Sequence, residues 1–267
     1  MNILSIGEIL WDLIDGEPHL GGAPFNLAVH ARRLGHRVAF VSAVGDDVPG
    51  HKALAQAAAR GIDTDFIATV PGVPTGTVTV TLDAADQPAF TIHRPAAYDH
   101  IPAGPVDFDA DWICFGTLHQ TAPAMRGLTQ DLFDAHPRAR RFYDVNLRPG
   151  CYTPELVGDL LRKATVVKLN ESEAEKIPHR WQTACITRGA AGCTIILDGR
   201  SYDCPGYPVR VADTVGSGDA FSAAFLHGLD QGWPPAKIGD FANRVGALVA
   251  SRSGATPEWT LEEVGAL

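Results

Sequence analysis

Val38-Ala-Phe-Val-Ser-Ala-Val44 is a short, almost wholly apolar run rich in β-branched and aromatic residues, the composition of a strand buried in a sheet. Its flanks give the context. Upstream, Ala23 to Leu34 carries apolar residues at 23, 27, 28, 31 and 34 and stops at Gly35, which reads as a helix. Downstream, His51 to Arg60 is an alanine-rich helix closed by Gly61. Ahead of both, Ile3, Leu4 and Ile6 begin an apolar strand that ends at Gly7. Strand, helix, strand, helix is the order of a parallel sheet with helices on its faces.

The rhythm then changes. From Pro74 to Leu82 the residues alternate: Thr75, Thr77, Thr79 and Thr81 face one way, and Gly76, Val78, Val80 and Leu82 the other. That is a strand with one polar face. Asp83 to Pro88 reads as a turn and Ala89 to His93 as the returning strand. Ile9 to Ile14 is expected to join them, with Asp12 facing opposite to Trp11 and Leu13. A hairpin inside an α/β chain suggests a lid over a site. After Asp111 the α/β order resumes. Strands are expected at 112–115, 141–145, 164–169, 184–187 and 194–197, and helices at 125–135, 218–229 and 236–252.

Bulk properties exclude some functions. The 267 residues carry a formal charge of −9, which argues against nucleic acid as a partner. An anionic ligand is still compatible, because converging backbone N–H groups bind anions inside acidic proteins. The five cysteines are scattered, with no C-x-x-C pair, as in a reducing compartment. The first residues read as a strand and not as a leader, and no apolar run has the length of a membrane span. The expected location is cytoplasmic, with no membrane partner.

Asp213-Thr-Val-Gly-Ser-Gly-Asp219-Ala-Phe221 is the stretch that points to chemistry. Gly216 and Gly218 bracket Ser217 immediately before an amphipathic helix. Glycines there let successive N–H groups converge, and the helix start adds partial positive charge. Such a turn stabilises anionic oxygens during group transfer. Asp219, in the first helical turn, is placed to accept a proton. Read alone, the stretch also fits a capping turn with no ligand. The chain contains neither G-x-x-x-x-G-K-[ST] nor G-x-G-x-x-G after its first strand, which disfavours Walker-type ATPases and nicotinamide dehydrogenases.

Asp213–Phe221 resembles the D-T-x-G-A-G-D signature of the ribokinase-like, or PfkB, carbohydrate kinases, with Ser217 in place of the usual alanine. Gly21-Gly-Ala-Pro-Phe-Asn26 resembles that family's G-G-x-x-x-N, and Gly7-Glu-Ile-Leu-Trp-Asp12 the opening of its fructokinases. The two signatures stand in the family's order, roughly 190 positions apart. The resemblance implies one kinase domain over 1–267. The implied fold is a three-layer α/β/α sandwich with a mainly parallel sheet and a small β-strand lid at about 9–16 and 74–95. It implies Asp219 as the base that activates a sugar hydroxyl, and Gly216, Ser217 and Gly218 as an anion hole. Asp12, Gly21, Gly22 and Asn26 would hold the sugar. Asn146 and Arg148, in a D-x-N-x-R run from Asp144, would face the cleft, and Arg94 would reach the sugar from the lid.

The same resemblance assigns Asn170 and Glu173, in an N-x-x-E run, to the ATP phosphates and a hydrated Mg²⁺. On its own that run is an acidic turn. Thr187, Arg188, Gly189 and Gly192 match the nucleotide-binding T-x-G-x-x-G turn, and Asn243 an adenine position. Arg188 alone is equally an exposed loop residue, and Asn243 a polar residue on a helix face. Asp213, Val215, Val249, Arg252 and Gly254 match positions that hold a monovalent cation, K⁺, in some members. The segment between Glu173 and Cys185 is shorter than the family's usual connection. The expected ligands are a sugar and ATP. Fructose is favoured over ribose, 2-keto-3-deoxygluconate or a nucleoside, and a homodimer through the lid is expected. A non-catalytic sugar or nucleotide sensor is the rival reading.

Overall fold

The run at 38–44 lies inside β4 (Arg37–Gly45), of which all but Arg37 is buried. In this computed structural model, which describes residues 1–14, 16–82, 88–177 and 180–267 (backbone alone for 80–82 and 88–90), β4 pairs in parallel with β1 (Asn2–Ile6) and β5 (Ile67–Val70). On the far side of β1 the sheet continues in parallel through β8 (Trp112–Gly116), β9 (Arg140–Asp144), β10 (Val166–Asn170) and β11 (Thr183–Thr187). Two antiparallel strands, β12 (Cys193–Leu197) and β13 (Arg200–Cys204), close that edge. The nine-stranded order is β13-β12-β11-β10-β9-β8-β1-β4-β5. The chain reverses its direction of travel across the sheet between β1 and β8. In open α/β sheets a ligand cleft forms beyond the strand ends at such a switch point.

Strand alternation divides the core into two layers. Ile3, Phe40, Cys114 and Phe142 point to one face, where α1 (Ala23–Arg33), α7 (Ser217–Asp230) and α8 (Pro235–Ala250) pack. Leu4, Ile6, Val41, Phe115 and Tyr143 point to the other, under α4 (Pro123–Ala135) and α5 (Pro154–Lys163). Phe225 on α7 is fully buried, 6.4 Å from the Phe142 ring. Burying one such side chain contributes about 1.5–3 kcal/mol. Shorter helices are α3 (Thr117–Gln120), α6 (Glu171–Lys176) and α9 (Leu261–Ala266). Among the described residues no helix is long and apolar enough to cross a membrane.

The lid is a separate sheet of β2 (Leu10–Ile14), β3 (Glu17–Gly21), β6 (Gly76–Leu82) and β7 (Pro88–His93), in the order β3-β2-β6-β7. Strand β3 was not expected from sequence, where Pro18 and the exposed Glu17 and His19 hide it. Asp12, Val78 and Ile92 are neighbours across the lid on the face that lines the cleft. Trp11 and Leu20 occupy the opposite face, and the Trp11 indole donates to the Pro49 carbonyl at 3.0 Å. The expected turn at 83–88 falls, apart from Pro88, outside the described residues.

Helix α2 (Val48–Ala59) begins three residues before the expected His51. Asp47 caps it, Oδ1 accepting from the Gly50 N–H at 2.7 Å, a start signal that the alanine pattern does not contain. Helix α5 had no sequence assignment, although Thr153 caps it through the Leu156 N–H. Beyond Glu173 the connection to β11 retains only the rest of α6 as helix among the described residues.

Candidate active site

A cavity of about 240 Å³ opens where β1, β8, β9 and β10 end, between the N-termini of α1 and α7 and beneath the lid. Glycines set both helix starts. Gly216 has φ +77°, and a Cβ there would come within 2.1 Å of the Ala255 carbonyl oxygen. Gly22 has φ +112°, and a Cβ there would meet the Glu8 carbonyl oxygen at 2.3 Å. No other residue type fits at either position without moving backbone.

At α7, the Ser217 N–H turns back to the Thr214 carbonyl at 3.3 Å, and the Ala220 N–H bonds the Gly216 carbonyl at 2.9 Å. The N–H groups of Gly218 and Asp219, which line the cavity, find no acceptor among the described residues. Asp219 Oδ2 accepts from Asn26 Nδ2 at 2.8 Å, joining α7 to α1 across 193 residues of sequence. Burial raises the Asp219 carboxyl to about 6. Lys168, Asn26 and Arg148 oppose that rise, and Asp144 adds to it. The group ionises at neutral pH and remains basic enough to take a proton.

At α1, Asn26 is buried and its Oδ1 has no partner among the described residues. Asp12 reaches the cavity from the lid, with room made by Gly21, where a Cβ would lie 2.4 Å from Asp12 Oδ2. Burial pushes Asp12 up to about 7; Arg148 pulls it down, while Asp219 and Asp213 push it up. Asn146, with φ +39°, and Arg148 line the cavity after β9.

Glu8 and Lys168, to which the sequence reading assigned no role, also line this cavity. Glu8 is 5% exposed, and its Oε2 has no partner among the described residues. Burial drives its carboxyl up to about 7, opposed by its own backbone N–H, by Arg148 and by the Ala23 N–H at the start of α1. Lys168 Nζ bonds both oxygens of Asp144 at 3.0 Å, and Ser222 donates to Asp144 Oδ2 at 3.2 Å. Burial disfavours the Lys168 charge, but Asp144, helped by Asp219 and Glu173, more than offsets it and the ammonium is pushed up to about 12. A Cβ on Gly218 would sit 3.3 Å from Lys168 Nζ, so this cation lies directly under the α7 turn. The sequence held a signal: Lys168 interrupts the apolar strand Val166-Val-Lys-Leu169, and a buried charge needs a partner.

Other predicted residues lie outside the cavity lining. Arg94 is held by Asp99, through Nε at 3.0 Å and a second Nη2 bond, and by Thr121. Glu173 is not a solvated turn residue. It is buried, its oxygens accepting from the Leu147 and Asn170 N–H groups at 2.7 and 2.8 Å, and burial raises its carboxyl despite those bonds. Asn170 caps α6. Arg188 bonds Thr194 and the Cys193 carbonyl. Asn243 donates to the carbonyls of Cys204 and Pro205 at 3.3 and 3.0 Å, and the backbone of that segment lies against Gly192. Thr187, Arg188, Gly189, Gly192 and Asn243 therefore form a strip along β11–β13, beside the cavity and not within it. Asp213 accepts from Val215 and Gly254 N–H groups at 2.9 and 3.1 Å, tying the 213–215 turn to the loop after α8. Among the described residues no three His, Cys, Asp or Glu side chains gather to hold a metal.

Two glycine-started helices meet a carboxylate and a buried ammonium at the switch point of a ribokinase-like sandwich, and the comparisons agree with that architecture. The pfkB family carbohydrate kinase profile matches residues 13–261, and the chain belongs to that family of sugar kinases. A fructokinase of Klebsiella pneumoniae is 30% identical over 95% of this chain and 94% of its own. The crystal structure of an uncharacterized sugar kinase of Pyrococcus horikoshii in complex with ATP superposes with a TM-score of 0.86 at 30% identity, covering 96% of this chain and 95% of that one. The fructokinase of Xylella fastidiosa with bound ATP gives 0.87 at 26% identity, over 99% and 97%.

Proposed function

We propose that this kinase transfers the γ-phosphoryl group of ATP to a hydroxyl of a neutral monosaccharide, with fructose as the first candidate. The observation that carries the reading is Asp219, seated on the open start of α7 and bonded to Asn26 of α1. One carboxylate thus stands between a group suited to sugar hydroxyls and a turn suited to phosphoryl oxygens. In the proposed step Asp219 accepts the hydroxyl proton as the sugar oxygen attacks phosphorus in line. The new O–P bond forms as the bond to the β-phosphate oxygen breaks, and ADP departs. The Gly218 and Asp219 N–H groups and the Lys168 ammonium stabilise the charge that shifts in that step.

Glu8, Asp12 and Asn26 supply acceptors and donors for sugar hydroxyls, and among the described residues Arg148 is the only cation besides Lys168 on the cavity wall. That balance suits a neutral sugar better than a phosphorylated one, which needs additional cations. The nucleotide would lie along the 187–192 turn and the strip that Asn243 supports. Mg²⁺ would supply charge neutralisation when bound to the phosphates; Glu173, which the family resemblance assigns to it, is buried with both oxygens taken by backbone N–H groups and would act only through water. A K⁺ ion would be held by the carbonyl oxygens of Val215, Val249, Arg252 and Gly254, beside the turn that Asp213 ties to Gly254. A homodimer would use the outer lid face around Thr79 and His93, which bond each other at 2.8 Å; light scattering that finds only monomer would remove it. A coupled ADP-release assay over fructose, ribose, 2-keto-3-deoxygluconate, a nucleoside and a phosphosugar tests the activity. Fructose is expected to give the highest turnover. Binding of sugars with no ATP turnover on any would favour the sensor reading.

A further inference from the structure

One helical turn after Asn26, α1 carries His30, which is fully buried. Its two ring nitrogens face different partners. Nδ1 lies 3.1 Å from the indole Nε1 of Trp259, a group that only donates. Nδ1 therefore accepts, and the ring proton sits on Nε2. Nε2 lies 3.0 Å from the Ala255 carbonyl oxygen, which only accepts. The neighbours thus fix the tautomer. The His30 and Trp259 rings stack, 6.2 Å between centroids and 22° apart in plane. Burial, with Arg33, lowers the imidazole to about 4 against the pull of the Ala255 bond. A second proton on Nδ1 would confront the indole N–H.

Ala255 is the residue against which the anion turn rests, since its carbonyl oxygen is the nearest neighbour a Cβ on Gly216 would meet. Residues 251–260 form neither helix nor strand, so side chains hold this segment in place. Arg33 bonds the Pro257 carbonyl and Arg60 Nε the Thr256 hydroxyl at 3.0 Å. Asp213 takes the Gly254 N–H. Of these ties, only the His30 bond ends on the residue beneath Gly216.

We propose that His30 is a positioning residue for phosphoryl transfer: its Nε2–H, oriented by the Trp259 indole, fixes the Ala255 carbonyl and, through it, the Gly216 turn that aims the Gly218 and Asp219 N–H groups. The proposal rests on the kinase reading above. Donors in such a turn act only when aimed, and a misplacement of about 1 Å can cost on the order of 10²-fold in rate. The loss of one hydrogen bond from the relay corresponds to about 2- to 10-fold.

The test compares His30→Ala, His30→Gln and Trp259→Phe with wild type. His30→Ala is expected to lower kcat by about 10-fold or more with the sugar KM within about 2-fold, as for a lost transition-state interaction. Gln, whose amide can donate to Ala255, should recover most of that loss. Trp259→Phe keeps the ring packing and removes only the donor, so it remains informative if His30→Ala fails to fold. It should lower kcat about 2- to 10-fold, and long-range ¹H–¹⁵N spectra should show the His30 Nδ1 resonance shifting as its donor is lost while the proton stays on Nε2, against the Ala255 carbonyl. Calorimetry with ATP and ADP needs no sugar: the variants should lose ATP affinity while ADP affinity holds. Folded variants with wild-type kcat and unchanged ATP preference would overturn the relay, as would a Nδ1–H tautomer in wild type. A wild type that phosphorylates no sugar, with variants that still show the ATP-selective loss, would overturn the kinase reading and leave the relay in place.

Discussion

Helices α1 and α7 both begin after a glycine of positive φ, Gly22 at +112° and Gly216 at +77°, and neither has a side-chain cap. Their first turns are finished differently. At α1, Pro24 has no N–H to offer, and the Ala23 N–H interacts with the Glu8 carboxyl. At α7, two N–H groups remain turned to the cavity above the Lys168 ammonium. One helix start is already occupied by a carboxyl; the other is open to an incoming anion. The cavity is therefore polarised, with hydroxyl-binding groups at the α1 end and phosphoryl-binding groups at the α7 end. The Asn26–Asp219 bond marks the line between them.

The largest effect should come from that line. Asp219→Asn keeps size and the helix start but removes the base. It should lower kcat by at least about 10²-fold, the low end of a general-base contribution, with ATP binding retained in calorimetry. Wild-type turnover should also fall as the pH drops through about 6, the value to which burial raises Asp219, because the protonated carboxyl cannot accept the sugar proton. A profile flat from about pH 5 to pH 8 would take Asp219 out of the mechanism.

Lys168→Met breaks the comparison from the α7 side. It leaves Asp144 buried without its cation, and removing one partner of a buried pair typically costs about 3–5 kcal/mol. Thermal unfolding should record that loss, and the protein that remains folded should bind ATP more weakly while its sugar affinity changes less. If sugar affinity falls further than ATP affinity, the polarity assigned to the cavity is reversed.

Much of this arrangement was legible from sequence because it depends on local rules. Val38–Val44 identified the sheet through apolar continuity, and Ala23–Leu34 identified α1 through its period. Asp213–Phe221 was legible as an anion turn because glycines and a helix start occur together within nine residues. Lys168 and Asp144 were not legible as a pair, since parallel strands β9 and β10 must be aligned before the two residues become neighbours. His30 looked like one more position on an amphipathic helix, and nothing local names Trp259, 229 residues away, as its partner. Arg94 and Arg188 were hard to place for the complementary reason. A cation near a motif invites a ligand, but each has acceptors in its own fold, Asp99 for the first and Thr194 for the second.

Asp12→Ala tests the α1 end. It should raise the sugar KM by about 10-fold, the effect of one or two hydrogen bonds to a charged group, with the ATP KM nearly unchanged. The opposite ranking would move the sugar away from the lid.

The last test concerns stability, and Glu8 isolates it. Its carboxyl is raised from an ordinary 4.5 to about 7 by burial. The folded state therefore favours the protonated form. Glu8's contribution to stability is fully present below about pH 4.5 and is lost as pH rises through about 7. Glu8→Gln mimics the protonated group at every pH. The variant should accordingly be more stable than wild type by on the order of 3 kcal/mol at about pH 8, with the gain shrinking towards zero near pH 4.5. Paired melts at the two pH values measure this difference while the buried histidines cancel. At the same time the variant should bind sugar less well, because Oε2 is replaced by a group of different hydrogen-bonding character facing the same cavity. A stability gain that does not vary with pH would mean that Glu8 is ionised in the folded protein. The α1 end would then hold a full negative charge from Glu8 at neutral pH, and a neutral sugar would have to bind beside one more ionised carboxylate than the raised value implies.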